Sequence, residues 1–337
     1  MRRLAAVACA LGLLAAACGD DAAAPPSPVT PSSTTTTDST STPSSTTTPS
    51  STTAAPAPTT DAADGCVAEE TEKRTFVDDT RSTPATETAA ELANRTLEVW
   101  IDRPTAPGPW PLIVFAHGLT GHPRSHELHR RSLAEQCFVV VAPAFPLTNN
   151  DVPGAWSNAG DVPGQIGDVS FLIDEVLADV GLASFVDGDR IGMIGHSLGG
   201  LTTAGAAVSP DADARISAAV VMSAGFVEAR ADLPVMVLHG DNDTLIPIAT
   251  GAAAYAVLPG RGVFVTLLGG DHLAGIIDDD SDYGSVVRGV TGAFFALELD
   301  NGDGTVEDLF DLPLDLASIE ARSDDGPFAD WSDYFVA

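Results

Sequence analysis

The fold is decided by one stretch of the sequence, Ile191-Gly192-Met193-Ile194-Gly195-His196-Ser197-Leu198-Gly199-Gly200. Its first half is a short apolar run typical of a buried strand, and residues 198–208 have a helical pattern. Ser197 lies between them, with Gly195 two residues before it and Gly199 two residues after it. A tight strand-to-helix turn that exposes a serine hydroxyl leaves no room for side chains at these two positions. The stretch therefore predicts a nucleophilic Ser197; a glycine-rich turn with an incidental serine is the alternative.

Apolar runs and helical patterns alternate on both sides of this stretch. Runs without polar alternation are typical of the doubly buried strands of a parallel sheet. They occupy residues 97–101, 111–116, 138–142, 190–195, 218–223, 235–238 and 263–268. The helical patterns occupy residues 127–135, 166–180, 198–208, 249–257 and 283–297. This alternation predicts a three-layer α/β/α sandwich with a mostly parallel central sheet, whose ligand crevice lies beyond the carboxyl ends of the strands.

Candidate partners for Ser197 follow two later strands. A serine hydroxyl needs a base to take its proton, and the base needs a third group to hold its tautomer. On a sheet of this kind the chain order is serine, acid, histidine. An acidic loop with Asp241 and Asp243 follows the strand at 235–238, and His272 ends the segment after the strand at 263–268. We therefore expect His272 to be the base and one of the two aspartates to be the acid.

These segments carry a family resemblance. The H-G-x-x-D-x-x-[VI]-P pattern of α/β-hydrolases is matched by residues 239–247, and their G-x-x-H ending is matched at His272. The chain resembles an α/β-hydrolase over about residues 96–297. The resemblance implies an α/β-hydrolase fold, assigns the acid to Asp243 with Asp241 as its competitor, and assigns the base to His272. It also implies an oxyanion hole built from the backbone N–H groups of Leu119 and Leu198.

Four segments narrow the resemblance to one branch of the superfamily. Residues 111–117, 137–146, 168–174 and 191–200 are most similar to dienelactone-hydrolase-like proteins, platelet-activating-factor acetylhydrolases and cutinase-like polyester hydrolases. These are lidless or lightly covered esterases. Dienelactone hydrolase itself has a cysteine nucleophile, whereas this chain has a serine.

Two aromatic residues are candidate substrate contacts. Polyester hydrolases carry a tryptophan clamp shortly after the strand that follows the nucleophile helix, and this chain has Phe226 at that place. Trp156, in the loop at 148–164, is expected to overhang the site and to select an acyl or alcohol group. A loop aromatic that only covers the edge of the core is the alternative for Trp156.

The N-terminus has the anatomy of an export signal. Two arginines precede an apolar run that is too short to span a bilayer, so residues 1–17 are interpreted as a signal peptide. The run ends at Leu14-Ala15-Ala16-Ala17-Cys18, which resembles a bacterial lipobox and predicts a lipid on Cys18. Ordinary cleavage with Cys18 unmodified is the alternative. In both cases we expect an exported protein, either a cell-surface lipoprotein or a secreted one.

The rest of the chain divides into a tether and a globular domain. Residues 18–64 are rich in Ala, Pro, Ser and Thr and are expected to form a disordered tether. Residues 65–337 form the predicted hydrolase domain, with its core at about 96–298 and a small helical appendage at 299–337. Cys66 and Cys137 are the two cysteines of this domain, and in an exported protein they are expected to form a disulfide. Two unpaired cysteines are the alternative.

The net charge and the arrangement of possible metal ligands limit what the protein is expected to bind. The chain has 47 Asp and Glu against 16 Lys and Arg, a net charge of −31, so electrostatics argues against a nucleic-acid partner. His122, His126 and His129 have helical spacing, but Pro123 interrupts the segment, so we predict no metal there. The acidic segments 278–282 and 300–304 resemble calcium loops only in part and are interpreted as solvated loops.

Two function classes follow from these patterns. The first is an exported serine hydrolase that cleaves carboxylic esters through a Ser197, His272 and Asp243 triad and an acyl-enzyme, with no cofactor. Its substrate is a small-molecule, lipid or polymer ester; a phospholipid acetyl ester, a polyester and an amide or peptide bond are the alternatives. Membrane contact is expected only through the N-terminal lipid, and the oligomeric state is left open. The second class is a non-catalytic surface protein that uses the fold as a binding scaffold.

Overall fold

The computed structural model describes residues 66–277, 280–299, 313, 315–323 and 326–327. The predicted signal peptide at 1–17, the candidate lipidation site Cys18 and the tether up to residue 64 lie outside the described residues. Within the described ranges, no helix combines the length and the apolar character that a membrane span requires.

Ten strands of the described residues form one mixed sheet in the order β1-β2-β4-β3-β5-β6-β7-β8-β9-β10. The strands are β1 (Glu72–Asp78), β2 (Arg95–Asp102), β3 (Trp110–Ala116), β4 (Val139–Ala144), β5 (Val186–His196), β6 (Ile216–Met222), β7 (Val235–Gly240), β8 (Gly262–Leu267), β9 (Ala317–Ser323) and β10 (Gly326–Pro327). The strands from β3 to β8 are parallel to one another, and the outer strands at both edges pair antiparallel. Because parallel strands end at the same edge, the loops after β3, β5, β7 and β8 meet there.

Helices cover both faces of the sheet. They are α1 (Glu127–Glu135), α2 (Val162–Ala178), α3 (Leu198–Thr203), α4 (Ile248–Ala256) and α5 (Asp282–Leu299), with 3-10 turns at Pro123–His126 and Ala155–Asp161 and a π turn at Ala204–Val208 after α3. Side chains of α2, α4 and the π turn pack with one face of the sheet, and side chains of α1 and α5 pack with the other. The predicted three-layer α/β/α sandwich is confirmed.

The seven predicted strands and five predicted helices are all present, but three strands were missed. β1 was not predicted, and the expected helical appendage is wrong for residues 317–323 and 326–327, which form β9 and β10. The sheet therefore extends beyond the core expected at 96–298. Ala317 and Ile319 are buried while Ser318 and Glu320 are exposed, so β9 alternates as a half-buried strand does. A search for uninterrupted apolar runs does not detect such strands. The other end of the expected appendage, with Trp331 and Phe335, lies outside the described residues.

The expected disulfide between Cys66 and Cys137 is present. It joins the first described residue to the segment that leads into β4, with 5.3 Å between the two Cα atoms. The bond closes a loop with a sequence separation of 71 residues, and such a closure stabilises a domain mainly by restricting its unfolded chain. It thereby fixes the start of the domain to the sheet.

Candidate active site

Ser197 occupies a strained turn between β5 and α3. Its φ of 54° and ψ of −117° lie in a region that residues with a side chain rarely adopt. Its N–H donates to the Met222 carbonyl at 2.9 Å, which ties the turn to the end of β6. A Cβ on Gly195 would lie 2.2 Å from the Gly199 carbonyl oxygen, and one on Gly199 would lie 2.2 Å from the Ala116 carbonyl oxygen. The two glycines are therefore required by the close approach of backbone on both sides of the serine.

Ser197, His272 and Asp243 form one continuous chain of hydrogen bonds. His272 Nε2 lies 3.0 Å from Ser197 Oγ, and His272 Nδ1 lies 2.7 Å from Asp243 Oδ2. Because a carboxylate only accepts, the ring proton of His272 is on Nδ1 and Nε2 accepts from the serine hydroxyl. The structure thus brings together the three side chains that the sequence singled out, in the order that proton transfer from the serine requires.

The carboxylate of Asp243 is fully buried and held on both oxygens. Its Oδ1 accepts from the N–H groups of Leu245 and Ile246 at 2.9 and 2.8 Å, which leaves Oδ2 directed at His272. Asp241 is exposed, and its Oδ1 accepts from the Gly269 N–H at 2.6 Å. Of the two aspartates left open by the sequence, Asp243 is therefore the one at hydrogen-bond distance from His272.

Two buried histidines, His196 and His239, hold backbone carbonyls next to the triad. His196 Nε2 donates to the backbone carbonyl of His272 at 2.9 Å, and the two rings lie 4.8 Å apart. His239 Nε2 donates to the Ile246 carbonyl at 2.7 Å. Burial lowers the pKa of both imidazoles, so each is neutral and can donate without placing a second positive charge beside His272. The sequence showed these histidines inside their motifs but gave no sign of which carbonyl each one holds.

The loop after β3 lies directly against the nucleophile. A Cβ on Gly118 would lie 3.3 Å from Ser197 Cβ, so the backbone at Gly118, the residue before Leu119, runs close to the serine. Leu198 is the first residue of α3, and its N–H has no helical partner one turn earlier. The two amides that the resemblance assigned to an oxyanion hole thus belong to segments on either side of Ser197.

His117 holds the start of this loop, a role that the sequence did not reveal. Its Nδ1 lies 2.8 Å from the Gly118 carbonyl oxygen, and its Nε2 accepts from the Phe145 N–H at 3.1 Å, so the ring proton is on Nδ1. Burial lowers the pKa of His117 to about 3. The neutral ring therefore bridges the loop after β3 and the loop after β4.

The two candidate substrate contacts differ in exposure. Trp156 lies on the 3-10 turn at Ala155–Asp161, and 72% of its surface is exposed. Phe226 follows β6, is half-buried and packs against the core. A groove of about 530 Å³ lies beside His272 and is lined in part by Asp271, Leu273 and Tyr283. The roles of Trp156 and Phe226 in substrate binding remain predictions.

The histidines with helical spacing are engaged in hydrogen bonds inside the protein. His126 Nδ1 donates to the Ile276 carbonyl at 2.9 Å. His129 Nε2 lies 2.8 Å from the Thr291 hydroxyl, and His122 Nδ1 accepts from the Arg124 N–H at 3.1 Å. No group of three or more His, Cys, Asp or Glu side chains that could hold a metal occurs among the described residues. Asp278, Asp279 and the acidic loop at 300–304 lie outside the described residues.

Comparisons with known proteins agree with this architecture. Residues 97–257 match the sequence model of the dienelactone hydrolase family. The structure is similar to that of a ferulic acid esterase from Streptomyces cinnamoneus, with a TM-score of 0.61 and 18% sequence identity; the match covers 75% of this chain and 96% of the esterase. The comparison with curated proteins gave no match.

Proposed function

We propose that this chain, a carboxylic ester hydrolase of the α/β-hydrolase superfamily, cleaves its substrates with Ser197 as nucleophile, His272 as general base and acid, and Asp243 as the group that orients His272. The observation that carries the proposal is the hydrogen-bond chain from Ser197 Oγ through His272 to Asp243 Oδ2, with distances of 3.0 and 2.7 Å. A buried carboxylate, an oriented imidazole and a hydroxyl on a strained turn together meet the requirements of nucleophilic catalysis.

The proposed reaction has two halves. In the first, His272 Nε2 takes the hydroxyl proton as Ser197 Oγ bonds to the ester carbonyl carbon. The tetrahedral intermediate then collapses, the bond to the alcohol oxygen breaks, and His272 gives its proton to the departing alcohol. In the second, His272 takes a proton from water as the water oxygen bonds to the acyl carbon. The second tetrahedral intermediate collapses, the bond from the acyl carbon to Ser197 Oγ breaks, and His272 returns the proton to Ser197 Oγ as the carboxylic acid leaves. Asp243 stays ionised throughout and stabilises the imidazolium that forms twice.

The negative charge of both tetrahedral intermediates falls on the former carbonyl oxygen. We propose that the N–H groups of Leu119 and Leu198 bind this oxygen. The support is the close approach of Gly118, the residue before Leu119, to Ser197, and the lack of a helical partner for the N–H of Leu198. Removing one such donor typically lowers the rate by about 10² to 10³-fold. The loop after β3 is therefore nearly as important as the triad.

Export is part of the proposal. The disulfide between Cys66 and Cys137 is typical of proteins that fold in an oxidising compartment, which supports secretion or attachment to the cell surface through a lipid on Cys18. Mass spectrometry of the mature N-terminus tests this point. A diacylglycerol-modified Cys18 supports the lipoprotein, whereas an unmodified Cys18 supports ordinary cleavage.

The test of the reaction is hydrolysis of p-nitrophenyl esters of increasing acyl length by the purified protein. Because a ferulic acid esterase has a similar structure, the panel also includes methyl ferulate. We expect turnover that is lost in Ser197→Ala and retained in the control Ser209→Ala, whose hydroxyl donates to the Gly205 carbonyl at 3.1 Å. A fluorophosphonate probe should label the parent and the control but not Ser197→Ala. Folded parent protein without turnover or labelling would refute the proposal and favour a binding scaffold.

A further inference from the structure

A buried glutamine connects the two segments that carry the oxyanion-hole amides, although it belongs to neither. Gln165 lies on α2, and its side chain is hydrogen-bonded at both ends. Its Oε1 accepts from the Thr202 hydroxyl at 2.5 Å, and its Nε2 donates to the Thr148 hydroxyl at 2.7 Å. All three residues are completely buried. No solvent can replace either hydrogen bond, so the length of the glutamine fixes the separation of the two threonines.

At one end, Thr202 belongs to the nucleophile helix α3. It lies one turn after Leu198, and its hydroxyl oxygen is 3.1 Å from the Leu198 carbonyl oxygen. The Gln165 Oε1 therefore accepts from the same short helix that begins with Leu198, one of the two proposed oxyanion-hole donors. A six-residue helix has few hydrogen bonds of its own, so an external contact one turn after its first residue helps to fix its position.

At the other end, Thr148 holds the loop after β3. Its backbone carbonyl accepts from the Thr120 N–H at 2.8 Å, directly after Leu119. A second hydrogen bond, from the Asn150 N–H to the Gly121 carbonyl at 3.0 Å, continues the same contact. Thr120 has a φ of 55°, a conformation that is costly for threonine and persists only where neighbouring contacts impose it. Thr148 is thus part of what shapes the loop that carries Leu119.

We propose that Gln165 is a positioning residue that sets the distance between the Leu119 and Leu198 amides. The inference rests on the proposed function, because it concerns the oxyanion hole of that reaction. Donors in such a site must lie about 2.7–3.1 Å from the developing oxyanion, so a small shift of one segment relative to the other weakens transition-state binding. Gln165 does not touch the reacting atoms; it acts through Thr202 and Thr148.

The test compares Gln165→Met, which keeps the side-chain length but removes both hydrogen bonds, with the parent protein. A displacement of about 1 Å costs up to about 10²-fold in rate, so we expect kcat/KM for p-nitrophenyl butyrate to fall by about 10 to 100-fold. The inhibition constant of phenylboronic acid, which forms a tetrahedral adduct with an active-site serine, should rise by a similar factor. Thr202→Val removes only one of the two links and should show a smaller effect in the same direction.

The matched control is Gln136→Met. Gln136 follows α1 on the opposite face of the sheet, and its Nε2 donates to the Ser132 carbonyl at 3.1 Å. This variant should change neither kcat/KM nor boronate inhibition. The double variant Gln165→Met with Thr202→Val should lose less kcat/KM than the product of the two single losses predicts, because both substitutions break the same hydrogen bond.

The outcomes separate this inference from the proposed function. If parent turnover is lost in Ser197→Ala but folded Gln165→Met and Thr202→Val retain parental kcat/KM and boronate affinity, the positioning role is refuted and the triad stands. If melting temperatures fall while both kinetic measures stay unchanged, Gln165 is only structural, which also refutes the inference. If Gln165→Met does not fold, Thr202→Val alone decides through the same two measures. A parent protein without serine-dependent turnover would instead refute the proposed function.

Discussion

Stability should fall steeply between pH 7 and pH 5 because buried histidines must become charged on unfolding. Burial lowers the pKa of His117 to about 3, of His126 to about 4 and of His129 to about 3. In the unfolded chain each has a pKa of about 6.5. The folded pKa lies below the unfolded one, so below pH 6.5 the unfolded chain binds more protons and gains stability. As the pH falls below 6.5, each histidine then lowers the free energy of unfolding by about 1.4 kcal/mol per pH unit, or by about 2 kcal/mol between pH 6.5 and pH 5.

Together the three histidines should lower the free energy of unfolding by about 6 kcal/mol at pH 5, which is a large fraction of the 5–15 kcal/mol typical of a domain. Urea unfolding at the two pH values measures this change. Burial also lowers the pKa of His122, His196 and His239, which adds to this change, whereas Asp102 and Asp161, whose pKa values are raised mainly by burial, shift stability in the opposite direction. A single-site variant is therefore needed. His129→Gln keeps a hydrogen-bond donor for Thr291. In this variant the change in the free energy of unfolding between pH 7 and pH 5 should be smaller than in the parent by about 2 kcal/mol. If His129→Gln retains the whole parental dependence, the buried-neutral interpretation is refuted.

Three further changes test other parts of the structure. Asp243→Asn should lower kcat by about 10⁴-fold without loss of stability, because the amide no longer holds His272 with Nδ1 protonated; an active variant would contradict the assigned acid. Replacing both Cys66 and Cys137 by serine should lower the free energy of unfolding by about 4 kcal/mol in urea titrations, whereas an unchanged midpoint would show that the bond does not form in solution. Arg95→Met should lower the free energy of unfolding by about 3–5 kcal/mol in thermal or urea titrations, because it leaves the buried carboxylates of Asp161 and Asp168 without their shared partner. A variant as stable as the parent would contradict a stabilising role for these ion pairs.

The central part of the fold was predictable because its signals are local. Uninterrupted apolar runs identify β2 to β8, and Gly195 and Gly199 identify the turn at Ser197. The strands β1, β9 and β10 at the two ends of the sheet were not predicted, because β1 and β9 each have one solvated face and a weak alternating pattern and β10 has only two residues. Whether such a segment pairs as a strand depends on an edge of the sheet being available, which is a property of the assembled fold.

The candidate site was likewise predictable only in part from the sequence. The chain order and a family pattern favoured Ser197, Asp243 and His272, but the order alone left Asp241 open as the acid. The structure separates the two aspartates, because Oδ1 of Asp243 is held by two backbone amides and Oδ2 faces His272, whereas Asp241 binds the Gly269 N–H. That choice depends on where the loops after β7 and β8 meet.

The sequence by itself determined the alternation of strands and helices, the turn at Ser197 and the pair of cysteines in the domain. These features follow from local sterics, periodicity and composition, which act between residues close in the chain. Only the tertiary structure decided which carbonyls His117 and His196 hold and that Gln165 links Thr202 to Thr148. Such contacts join residues that are distant in sequence, and a buried polar side chain acquires its partners only when the elements around it have packed.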